Sequence, residues 1–269
     1  MQFREMLSSE YKEKRILRFI IIENLEPLYS IDDLGNFKSA VIDIVLGIHH
    51  LAISKEGIKH CNITINTLMF RRTPSGVIQG VLGGWDSTRS NKTSTKYEND
   101  GIWTGTRPFI SKDLHVGRPA SHYERFDYES IFYSLYWISL FYVEGKFRPT
   151  TEIPETVERW KSWNSYEDRK IFDAKTTLIH TRWNENYFST FFLPLVWCWL
   201  GPLRTIFKRG YSVRDDFNDM RDMRRRLNSA PHGTNVDTAS PSLPEFDDET
   251  LGGNVTFERI YDILRGELI

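Results

Sequence analysis

The residues most able to do chemistry lie in one stretch, Ile58-Lys59-His60-Cys61-Asn62-Ile63-Thr64-Ile65-Asn66-Thr67-Leu68-Met69, followed by Gly80-Val81-Leu82-Gly83-Gly84-Trp85-Asp86. Their types limit what such a site can do. Asn62 has nearly the shape of an aspartate but no basicity near pH 7, so it can hold a loop and cannot take up a proton. Thr67 offers a neutral hydroxyl and Gly84 no side chain, whereas Mg²⁺ wants hard oxygen ligands, mainly carboxylates. Cys61 has no supporting base at nucleophile spacing. His49, His50 and His60 lack the spacing of a metal site. Sequons begin at Asn62, Asn91 and Asn254; they carry weight only in a secreted chain.

Several elements must position these residues. Residues 16–22, Ile-Leu-Arg-Phe-Ile-Ile-Ile, read as a short buried strand after a polar lead-in over 1–15. From 37 to 53, Phe37, Ala40, Val41, Ile44, Val45, Ile48 and Leu51 recur at three- and four-residue steps, which predicts an amphipathic helix. Residues 77–82 follow a Pro-Ser-Gly turn and read as a strand. Residues 87–100 are almost wholly polar and read as an exposed loop. Residues 127–142 are apolar nearly all round, the mark of a buried helix. Residues 187–203 are rich in Phe, Leu and Trp, but Pro194 interrupts them. They fall short of the ~18 to 20 apolar residues of a membrane span, so a core helix is expected. Residues 204–227 interleave Arg with Asp, as on a solvated helix face laced with local ion pairs. Residues 228–253 read as a disordered acidic linker, and 254–269 as a helix that docks back.

The chain has 269 residues, 40% hydrophobic and 26% charged, enough for one large core. A net charge of -1 gives no global reason for nucleic-acid or membrane binding. The two cysteines, Cys61 and Cys198, read as reduced thiols. Residues 1–14 are studded with charge and contain no apolar run of signal-peptide type, so an intracellular location is expected.

The first stretch resembles the catalytic loop of a protein kinase, H-R-D followed five residues on by N. His60 takes the His position, Cys61 the Arg, Asn62 the Asp and Thr67 the Asn. In the second stretch, which resembles the strand ending in D-F-G, Gly84 stands at the metal-binding Asp and Trp85 at the Phe. Asn66 or Asp86 would reach the metal only after a shift of register. Thr104-Gly105-Thr106-Arg107-Pro108-Phe109-Ile110-Ser111-Lys112-Asp113 resembles the end of an activation segment, with Asp113 at its Glu. Phe126-Asp127-Tyr128-Glu129-Ser130-Ile131-Phe132-Tyr133-Ser134-Leu135-Tyr136-Trp137-Ile138 resembles the central helix of a kinase C-lobe. The wording T-G-T-x-P-F and D-x-E-S-x-x-Y-x-L-x-W is similar to the fungal-type protein kinase family. So are Trp160 and Trp163 followed by Ala174-Lys175, and the closing Val255-Thr256-Phe257-Glu258-Arg259-Ile260.

This resemblance runs from about residue 16 to the C-terminus. It implies a mainly α (α+β) fold: a kinase-like C-lobe over 16–227 with a remnant hinge strand and the N-lobe largely absent, because neither a G-x-G-x-x-G loop nor a V-A-I-K lysine precedes residue 16. It implies that Asp127 accepts hydrogen bonds from catalytic-loop amides, that His60 packs beside Trp85, and that the phospho-switch served by the missing Arg is absent. Active relatives use ATP and Mg. With base and metal ligands replaced and the lysine absent, no cofactor is expected here. The first functional expectation is a catalytically inactive pseudokinase acting as a binding or scaffold module. The alternative is a Ser/Thr-type kinase with residual or compensated activity, or a truncated gene model of one. A protein partner or self-association is expected through the apolar edge at 16–22, carried by Phe19 and Ile21.

Overall fold

The structure is a computed structural model that describes residues 24–90, 105–117, 121–155, 167–229 and 244–266. The lead-in, the strand expected at 16–22 with Phe19 and Ile21, most of the polar loop, and Trp160 and Trp163 lie outside these residues. The architecture is helix-rich with two small sheets.

Helix α1 (Leu34–Ala52) opens at Asp33, whose carboxylate accepts the Asn36 N–H at 2.7 Å and satisfies one free amide of the first turn. Its apolar face, Phe37 to Ile48 at helical spacing, is buried as its periodicity predicts. A three-stranded antiparallel sheet lies on it: β1 (Glu26–Pro27), β2 (Leu68–Arg72) and β3 (Ile78–Leu82), in that order, with Phe70 opposite both Glu26 and Gly80. Gly80 is needed for that contact, since a Cβ there would sit 1.9 Å from the Ala40 carbonyl oxygen. Asp43 accepts the Gly80 N–H at 3.0 Å and fixes strand to helix.

Helix α2 (Glu124–Phe141) runs through the core with nearly every residue buried. A short hairpin follows, β4 (Tyr142–Val143) and β5 (Lys146–Phe147), and then α3 (Asp168–His180). The core helix expected at 187–203 is more broken than its composition suggests. A 3₁₀ turn (Thr190–Phe192), one α turn carrying Pro194 and a π turn (Val196–Leu200) lead into α4 (Gly201–Ser229). By length and composition the run Thr190–Leu227 could cross a membrane, with 39% of its apolar window buried. In the fold its Phe192, Leu195, Val196, Trp199, Leu200, Leu203, Phe207 and Tyr211 spend their apolar surface in the protein core.

Helix α5 (Phe257–Arg265) is capped by Thr256 and ends at Gly266 in the left-handed region. It docks through Ile260, Ile263 and Leu264, with Phe257 stacked on His49 and Trp199 Nε1 donating to the Leu264 carbonyl at 3.1 Å. Two expectations need correction. Of the acidic linker, residues 244–253 form a folded turn: Leu251 is fully buried, and the Asp248 carbonyl accepts Arg125 Nε at 2.7 Å. One apolar anchor outweighs the polar composition around it. The Arg-rich helix face is also not wholly local, because Arg214 leaves it to bind Asp113.

Candidate functional site

Asp127, in the first turn of α2, builds the loop beneath it. Its carboxylate accepts the His60 N–H at 2.9 Å and the Cys61 N–H at 3.0 Å, and meets His122 Nε2 at 3.1 Å. Burial pushes its pKa up, but His122 and the loop amides outweigh burial and hold it below the usual carboxylate range. To present two successive amides to one carboxylate, the chain turns through Cys61 at φ 66°. That conformation costs a non-glycine residue about 1–3 kcal/mol and persists only where its surroundings over-determine it. Burial and the nearby Asp127 charge push the Cys61 thiol up, away from the nucleophilic thiolate.

His60 is buried and its ring is fully used. Nε2–H donates to the Gly83 carbonyl at 2.8 Å, Nδ1 accepts the Asn62 N–H at 3.3 Å, and the ring packs edge-on to Trp85 at 4.8 Å between centroids. Burial lowers its pKa against the opposing pull of Asp127, which favours the neutral ring. Trp85 donates Nε1–H to the Leu82 carbonyl at 2.6 Å and remains 40% exposed.

The three altered positions converge. Asn62 Oδ1 accepts both the Thr106 N–H at 3.1 Å and the Thr106 hydroxyl at 3.2 Å, so this oxygen ties the loop to the 105–113 segment. Thr67 Oγ1 accepts the Thr64 N–H at 2.8 Å and turns back toward the Thr64 and Asn62 carbonyls, at 3.1 and 3.3 Å. Its methyl faces Gly84, where a Cβ would lie 2.6 Å from Thr67 Cγ2. Gly84 itself sits at φ 74°. Positions 67 and 84 therefore do face one another, as two ligands of one ion would, but a hydroxyl committed to the backbone and a missing side chain offer a cation nothing. These residues do not fit the Mg²⁺ that active relatives of this type would carry. Among the described residues no group of three or more His, Cys, Asp or Glu side chains is placed to hold a metal.

Behind this site lies a polar network that residue spacing did not reveal. Asp113 binds Arg214 through both oxygens at 2.6 and 2.9 Å and Arg125 at 2.8 Å. Burial opposes its ionisation, yet the two guanidiniums bring its pKa down to about 2. Glu129 accepts the Lys112 N–H at 3.1 Å, the Tyr133 hydroxyl at 2.6 Å and the Tyr211 hydroxyl at 2.7 Å, with Ser111 as a further donor. Lys175, wholly buried, donates to the Arg107 and Ile110 carbonyls and to His115 Nε2, while His115 Nδ1–H donates to Asp168 at 3.1 Å. Burial and the Lys175 charge lower the His115 pKa to about 4. Charged residues inside an otherwise apolar helix, Arg125 and Glu129, were the available signal.

Among known proteins, no curated protein matches the chain. The family model described as fungal protein kinase matches residues 3–139, just over half of the sequence, and its match takes in the 58–69 loop, Gly84, Trp85, Asp113 and Asp127. The chain belongs to the fungal protein kinase family.

Proposed function

We propose that the protein is a pseudokinase: a kinase-like C-lobe that serves as a binding or scaffold module without phosphoryl transfer. The observation that carries this reading is the hydrogen bonding of Asn62 and Thr67. A kinase loop needs a carboxylate at the first position to accept the substrate proton and an oxygen ligand for Mg²⁺ at the second. Here the first group is an amide whose oxygen holds Thr106, and the second is a hydroxyl held by its own loop. The intact clamp of Asp127 on the loop amides supports retention of the scaffold for shape. In this reading a protein partner or second copy binds through the 16–22 edge with Phe19 and Ile21.

A radiolabel assay for autophosphorylation and for transfer to generic Ser/Thr and Tyr substrates tests the reading. Background incorporation is expected, unchanged in Asn62→Asp. Incorporation above background that Asn62→Ala abolishes would establish the alternative, a working kinase with a compensated site.

A further inference from the structure

A cavity of about 350 Å³ opens at the far end of α2, lined by Val143, Arg148, Glu152, Glu185, Ser189 and Thr190 among others. The helix from Asp127 to Phe141 puts it roughly 21 Å from the kinase-like loop at 1.5 Å per residue. Two features converge there. Arg148 is only 7% exposed, and its guanidinium donates to the Leu140, Tyr187 and Glu152 carbonyls at 2.7–2.8 Å. Among the described residues no carboxylate is within ion-pair distance of it, although the Glu152 charge on the cavity rim acts on it. A guanidinium has five N–H donors, so two remain for a ligand. Ser189 is 4% exposed, and its hydroxyl has no hydrogen-bond partner. Buried hydroxyls without partners are rare and call for an explanation. Ser189 precedes the 3₁₀ turn Thr190–Phe192 and its side chain makes no cap bond to it.

Arg148 and the Ser189 hydroxyl together favour a carboxylate. Glu152 and Glu185 on the rim disfavour a multiply charged anion such as phosphate and favour a cation beside the carboxylate. The volume is at the low end of small-molecule sites. We propose that this cavity binds a zwitterion of amino-acid size, its carboxylate on Arg148 and Ser189 and its ammonium against Glu152 and Glu185.

Thermal unfolding of the full chain against the free amino acids, each at millimolar concentration, tests this. Their N-acetyl and methyl-ester forms and inorganic phosphate serve as controls. At least one free amino acid is expected to raise Tm, with both blocked forms and phosphate weaker. Ser189→Ala removes a hydroxyl that bonds to nothing in the protein, so the unliganded Tm should hold or rise. Affinity should nevertheless fall about tenfold or more, the scale of a hydrogen bond to a charged group. Glu185→Gln should weaken the free amino acid about threefold, as for an exposed ion pair, and leave the N-acetyl form unchanged. The proposal is overturned if no free amino acid shifts Tm, if blocked forms or phosphate act equally, or if Ser189→Ala binds as well as the parent. None of these outcomes depends on whether the kinase-like site is active.

Discussion

At Gly84 the backbone is left-handed, and the space a Cβ would need is filled by the Thr67 methyl. Two positions that would share a metal ion in an active kinase thus share van der Waals space here. Gly84→Ala should cost about 1–3 kcal/mol, from backbone strain and the contact together. Thr67→Ser keeps Oγ1 and its bonds but removes the methyl. In that background the cost of Gly84→Ala should fall by about 0.5 kcal/mol or more, the coupling expected of residues in contact. Urea unfolding of the four proteins measures it; strict additivity would mean that the two positions do not touch. Asn62 gives a second test. Asn62→Ala deprives both Thr106 donors of their acceptor and should destabilise by about 1–2 kcal/mol. Asn62→Asp keeps the acceptor and should cost less in the same measurement.

The element that organises the site is α2. Its first turn clamps the loop through Asp127, and the next turn receives Ser111, Lys112 and Tyr211 on Glu129. Asp127→Ala would leave two buried loop amides without their acceptor and would remove one partner of His122. A loss of about 3 kcal/mol or more is expected, with hydrogen exchange accelerated more at the His60 and Cys61 amides of the loop than within α2. Unchanged protection there would remove the clamp. Much of this frame was legible. Apolar residues at helical spacing gave α1 to within a few residues, since a buried face leaves a local period. The loop, Trp85 and Asp127 were legible through motif resemblance. The Asp113 and Glu129 networks were not, because their partners lie far along the chain: Arg214 is 101 positions from Asp113, and Tyr211 is 82 from Glu129. Leu251 was hidden for another reason. One apolar residue among acids and glycines has no period, and only the fold shows that it is an anchor.

Across the whole molecule, buried ionisable groups should make stability fall in acid in two steps. The His115 pKa drops from 6.5 to about 4 on folding. Below pH 6.5 the unfolded chain therefore takes up a proton that the folded one refuses. Stability is full above pH 6.5 and falls by about 3 kcal/mol on reaching pH 4. Asp113, lowered from 3.8 to about 2, adds a loss of about 2 kcal/mol between pH 4 and 2. Urea midpoints against pH should show the first limb, and His115→Gln should flatten it; an unchanged limb would place the buried histidine's role elsewhere. The central claim, that this member of the fungal protein kinase family keeps the scaffold without the metal-nucleotide site, is tested most directly by calorimetric titration with ATP, with and without Mg²⁺. The expected result is no Mg²⁺-dependent heat and no Mg²⁺-dependent rise in Tm at millimolar nucleotide. A ligand at 100 times its Kd would add about 2.7 kcal/mol of stability, an effect too large to miss. Saturable, Mg²⁺-dependent ATP binding that Thr67→Ala or Asn62→Ala removes would contradict the claim.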